Sequence, residues 1–115
     1  MRPKHKTSHA EYYEAILQIR PGNQEILNFV SGLIQARTDV EVTKFLELKT
    51  GYDVYLTDQK FARRGLVTQL KKKYPKAKIV LSKALYGQSK NTSRLLYRAT
   101  ILFRLEEDTL LEEEQ

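Results

Sequence analysis

The 115-residue chain contains no cysteine. That absence excludes disulfides, thiolate metal sites and cysteine nucleophiles. No apolar run approaches the ~20 residues a membrane span needs, and the polar first residues do not read as a signal peptide. The expectation is a soluble, intracellular and cytoplasmic protein with no membrane partner. The five glycines are scattered singly, so no Gly-rich phosphate loop appears. The most informative absence is a charge: residues 59–105 contain no Asp or Glu at all.

Those 47 residues hold thirteen Lys and Arg. Residues 1–58 are near neutral, with seven bases against eight acids, and residues 106–115 hold six acids and no base. The overall formal charge of +6 averages over this asymmetry. Solubility is served better by mixed signs. A structured half-chain with cations alone is expected where that half faces a polyanion. A solvated basic face without a partner is the plainer alternative.

Length and 41% hydrophobic content fit one modest core. Residues 1–10 show no apolar periodicity and read as a basic, flexible arm. Residues 11–105 read as a single α+β RNA-binding-like domain, and 106–115 as an acidic tail that could shield the basic face when RNA is absent. From Glu11 to Arg20, Tyr13, Ala15, Leu17 and Ile19 alternate onto one side, which predicts a strand. Pro21-Gly22-Asn23 predicts a turn and an Asn N-cap, and Ile26, Leu27, Val30, Leu33 and Ile34 a helix over 24–37. Runs 42–48 and 52–57 flank a turn in which Gly51 can supply positive φ. Asp58 can cap a second helix with apolar positions Phe61, Ala62, Leu66, Leu70 and Tyr74. Gly65 weakens it by about 1 kcal/mol relative to Ala, and Pro75 ends it. A strand over 77–85, a polar loop over 87–92 and a strand over 93–105 complete the order β-α-β-β-α-β-β. The predicted class is a two-layer α+β domain, a mainly antiparallel sheet with two helices on one face. A ferredoxin-like split βαβ arrangement has nearly the same order.

Little here supports catalysis. His5 and His9 have the spacing of two helical metal ligands but lie in the arm with no third ligand. Glu11 and Glu14 lie on opposite sides of a strand. Asn91-Thr92-Ser93 matches a glycosylation acceptor by chance composition. Nothing assembles a nucleophile, base and oxyanion hole. The chain is expected not to be an enzyme, with no metal, no cofactor and no small-molecule substrate.

The basic residues form the better constellation. Lys60, Arg63, Arg64 and Lys71 recur along the second helix, and Lys72, Lys73, Lys76 and Lys78 crowd its end and the turn beyond. Dipole compensation accounts for only ~0.3–1 kcal/mol per charge and does not need eight. Phosphate neutralisation with counterion release does use such clusters. Arg94, Arg98 and Arg104 lie on the non-core face of the last strand and reach the same polyanion if that face is open. Tyr12, Tyr55, Tyr86 and Phe45 are candidates for base stacking, but no clear aromatic platform emerges. Backbone and shape recognition of folded RNA fits better.

Three segments taken together, Tyr12-Tyr13-Glu14-Ala15, Gly51-Tyr-Asp-Val-Tyr-Leu-Thr-Asp-Gln-Lys-Phe-Ala-Arg63 and Leu96-Tyr-Arg-Ala-Thr-Ile-Leu-Phe-Arg104, carry a family resemblance. Over residues 11–105 the chain resembles the middle, ribosomal-protein-like domain of the large-ribosomal-subunit export adaptor family, named for nonsense-mediated decay, in its archaeal form. Members bind the joining face of the immature large subunit late in assembly, and in eukaryotes recruit the export receptor. The family's paired CxxC zinc motifs and its following all-β module, similar to a translation factor, have no counterpart here. The resemblance therefore implies a fragment or a shortened relative, and no export signal is assigned.

The expected function is that of a non-catalytic, ribosome-associated RNA-binding domain in large-subunit assembly or quality control. Its expected RNA-binding residues are Lys60, Arg63, Arg64, Lys71, Lys72, Lys73, Lys76, Lys78, Arg94 and Arg98. Ribosomal RNA of the large subunit is the first partner, and a ribosomal or assembly protein the second. The alternative is a protein-interaction adaptor whose basic face docks an acidic protein.

Overall fold

The computed structural model describes residues 12–88 and 95–105. The expected arm, most of the polar loop, Arg94 and the acidic tail lie outside the described residues. Strand β1 spans Ala15–Arg20, helix α1 Gln24–Gln35, β2 Val42–Leu48 and β3 Gly51–Leu56. A π-helical segment, Phe61–Leu66, runs directly into α2, Val67–Lys73. Strands β4, Lys78–Gln88, and β5, Leu95–Arg104, follow.

The α+β class and element order are as the sequence predicts. The five strands form one sheet in the order β2-β3-β1-β5-β4. Among the described residues the β1–β5 pairing is parallel, and β1–β3, β2–β3 and β4–β5 are antiparallel. In a split βαβ arrangement the strand after the second helix would pair with β1. Here β5 occupies that place and β4 moves to the edge. The side chains explain the choice. Ala99, Ile101 and Phe103 of β5 are fully buried, whereas β4 carries Lys78 and Lys83 among exposed Val80, Leu81 and Leu85. Lysines suit an edge strand, where they discourage pairing with another chain.

One sheet face holds the core. Ala15, Leu17 and Ile19 of β1, Val54 and Leu56 of β3, and the three β5 residues meet Ile26, Val30 and Ile34 of α1 and Phe61, Ala62, Leu66 and Leu70 of the second helical segment. Fully burying such a side chain contributes about 1.5–3 kcal/mol, so this layer stabilises most of the fold. The predicted turn signals are present. Asn23 Oδ1 accepts the backbone N–H groups of Glu25 (2.8 Å) and Ile26 (3.1 Å). Asp58 Oδ1 accepts that of Phe61 (3.0 Å). Gly51 has φ 152°, and a Cβ there would lie 1.9 Å from the Ile19 carbonyl oxygen. Only glycine fits that position.

Two expectations are corrected. The second helix is not α-helical throughout: Phe61–Leu66 is π-wound. Phe61, Ala62, Leu66 and Leu70 are buried along the segment. The Phe61 ring then lies against Gly65, where a Cβ would be 3.0 Å from Cδ1. Gly65 is thus a contact surface as well as a weak helix former. At the start of β1, the alternation fails at Tyr13. The chain bends at Glu14, and the Tyr13 ring meets Tyr55 edge-on at 4.8 Å with the Arg98 guanidinium 4.0 Å above it. Both partners belong to the face away from the helices. Glu14 swings the other way, and its Oε1 accepts the Gln59 backbone N–H at 3.0 Å.

Candidate nucleic-acid interface

The topology gives the domain two distinct ends. At one end β1 and β5 finish, β4 begins and α2 terminates; at the other, the second helical segment starts and β3 finishes. Lys60 and Lys72 lie at opposite ends of the continuous helical segment. The expected RNA-binding residues therefore divide into two groups.

Lys71, Lys72 and Lys73 form the last turn of α2 and are exposed. Their charge complements the carbonyl end of the helix dipole. Lys73 leans towards α1, its Nζ 5.2 Å from the Phe29 ring centre and 5.8 Å from that of Tyr74. Lys76 lies exposed in the turn that follows, and Lys78 opens β4. Lys78 is directly opposite Arg104, which shares with Arg98 the face away from the helices. Arg104 in turn is opposite Arg20 across the parallel β1–β5 pair. A row of three cations therefore crosses three adjacent strands. Arg20 is half-buried and held: it donates to the Ile19 carbonyl (3.1 Å), the Tyr52 carbonyl (3.0 Å) and Asp53 Oδ1 (2.7 Å). Among the described residues, neither Lys78 nor Arg104 has a carboxylate partner.

The other end is organised differently. Lys60 and Arg64 are exposed. Arg63 is half-buried and donates from Nε to Gln59 Oε1 at 3.2 Å. Arg98 donates from Nε to the Tyr13 carbonyl at 3.0 Å while covering its ring. Two carboxylates serve the start of the helical segment. Asp58 caps it, and Glu14 accepts from the Gln59 N–H and from the Tyr12 hydroxyl. Negative groups at a helix N-terminus are stabilising, so Glu14 serves the fold.

Sequence reasoning named Arg104 as within reach of the polyanion if that sheet face is open, left it out of the expected binding residues, and did not consider Arg20. Strand alternation places each on the non-core side, but only the sheet order makes them neighbours. The stacking candidates are placed as follows. Tyr55 is flanked by Tyr13 and by Lys44, whose Nζ is 5.3 Å from its ring centre. Phe45 stacks on Tyr52 at 5.6 Å. The side chain of Tyr86 lies outside the described residues. A second surface feature is apolar: a groove of about 310 Å³ between α1 and the edge strand β2, lined in part by Leu27, Val30, Ile34, Val42 and Phe45. Among the described residues, no group of three His, Asp or Glu side chains could hold a metal ion, and no helix is long and apolar enough to cross a membrane.

The family model described as NMD3, second domain, matches residues 12–105. No curated protein matches the chain.

Proposed function

The chain belongs to the NMD3 family, and on that premise we propose that it docks on ribosomal RNA by pairing its basic residues with phosphates. The family's setting is the large ribosomal subunit. The domain acts there, in the cytoplasm, as a non-catalytic element of subunit assembly or quality control. The observation that carries this reading is the charge pattern. Thirteen cations occupy a 47-residue stretch without a carboxylate, and the exposed ones at the end of α2 extend into the turn beyond it. Such an arrangement neutralises phosphates and releases their counterions. Recognition is by backbone and shape, because Tyr55 and Phe45 are engaged with other side chains of the sheet.

The test is binding of purified large-subunit ribosomal RNA, and of an equally charged non-RNA polyanion, across a salt series. Preference for ribosomal RNA persisting near physiological salt supports docking, and the slope bounds the number of phosphates engaged. Equal, weak binding to both rejects it. A protein-adaptor reading is favoured by one feature, the groove between α1 and β2. Phe45 there is 45% exposed, in the near-neutral half of the chain. Under the main reading, that groove takes a ribosomal or assembly protein beside the RNA.

A further inference from the structure

We infer that the RNA footprint is the end of the domain at which β1 and β5 finish, and that it turns the sheet edge. It runs from Lys71 and Lys72 on the helix layer to Lys78 and Arg104 on the opposite face of the sheet. Its ligand is the phosphate backbone of RNA. The inference rests on the RNA-docking reading and specifies where that docking occurs.

The register supplies the geometry. Arg20 is opposite Arg104 and Arg104 opposite Lys78, so with strands ~4.8 Å apart the row spans about 10 Å. Like charges placed directly opposite across strands are destabilising. Among the described residues one of the three is relieved, through the Arg20–Asp53 pair. Among the described residues Arg104 and Lys78 are left facing each other without a carboxylate. Where a sequence breaks a local rule without compensation inside the fold, a functional site is the expected reason. An anion laid across the row removes the repulsion. Arg20 is held by two backbone carbonyls and Asp53, so it belongs to the fold and borders the footprint.

The opposite end argues by contrast. Arg63 and Arg98 are hydrogen-bonded within the domain there, and Glu14 and Asp58 sit at the start of the helix. Fixed carboxylates repel an approaching phosphate. Lys60 and Arg64 belong to the helical segment that Asp58 caps. They therefore lie outside the footprint although their helix continues into it.

Two double variants of the full chain separate the ends: K78Q/R104Q and K60Q/R64Q. Each is titrated with large-subunit ribosomal RNA and with a short RNA duplex across a salt series, with thermal unfolding followed in parallel. K78Q/R104Q is expected to lower the salt slope by about 2, one for each phosphate that is no longer neutralised, with no loss of melting temperature. K60Q/R64Q is expected to leave the slope unchanged. An unchanged slope for K78Q/R104Q, or an equal loss from K60Q/R64Q, overturns the end-on footprint while RNA docking survives. If the unaltered chain binds RNA no better than a non-RNA polyanion, both fall together.

Discussion

The two ends of this domain use the same residue types for different work. Where the second helical segment begins, charge is consumed by the fold: Asp58 and Glu14 accept backbone N–H groups, and Arg98 spans Tyr13. Where the helix ends, Lys71 and Lys72 reach solvent and Lys78 faces Arg104 across the ladder. The difference is one of partners, since both ends carry exposed cations. A charge is part of the architecture when its hydrogen bonds close inside the chain. It is available to a ligand when the fold leaves it uncompensated.

Charge reversal at the uncompensated end should break the comparison most visibly. Replacing Lys71, Lys72 and Lys73 with Glu is expected to weaken ribosomal RNA binding on the order of 10²-fold and to lower the salt slope by about 2, one for each of Lys71 and Lys72. The melting temperature should stay nearly unchanged, and an equal loss of folding would show that these lysines are structural. The mirror experiment is Asp58→Ala. It should cost about 0.5–2 kcal/mol in chemical denaturation, the usual range for a lost N-cap, and leave RNA affinity where it was. A smaller effect has the opposite sign. Lys78→Glu converts a like-charged cross-strand pair into an attractive one, so stability should rise by about 0.2–1 kcal/mol while RNA binding falls. A gain in stability accompanied by unchanged binding would place Lys78 outside the site.

The smallest effect concerns the loop after α1. The Arg37 guanidinium donates from Nε and Nη2 to Asp39 at 3.1 and 2.9 Å, and these hydrogen bonds hold the Asp39 carboxyl below its ordinary range. A depressed carboxylate stabilises the fold above its unfolded pKa of about 3.9 and loses that contribution as pH falls through the lower, folded value. Asp39→Asn should therefore lower the melting temperature slightly at neutral pH and match the unaltered chain in strong acid. The pair is solvent-exposed, so added salt should shrink even this difference.

Much of the architecture was legible because it is written in short-range patterns. The alternation from Ala99 to Leu105 names one buried face, and the structure buries Ala99, Ile101, Phe103 and Leu105. Asn23, Gly51 and Asp58 are each required by a local backbone geometry, and each performs the predicted role. Tyr13 and Glu14 misled because alternation holds only inside a strand, and β1 starts only at Ala15. The π winding of Phe61–Leu66 was illegible too, because its apolar residues fit an α-helix in sequence. For the candidate site, composition exposed the cations but treated Lys71 to Lys78 as one cluster. The chain reverses between them, so Lys78 emerges on the other side of the sheet.

By itself, the sequence determined the class, the order of elements, the buried faces and the existence of a carboxylate-free half, all of which follow from residue type and local period. The tertiary structure decided which strands are neighbours, and through that which charges meet. Arg20 and Arg104 are 84 positions apart in the chain, and no local pattern relates them. They are adjacent because β5, apolar on its core face, is buried beside β1, while the lysine-bearing β4 is stable only at the edge.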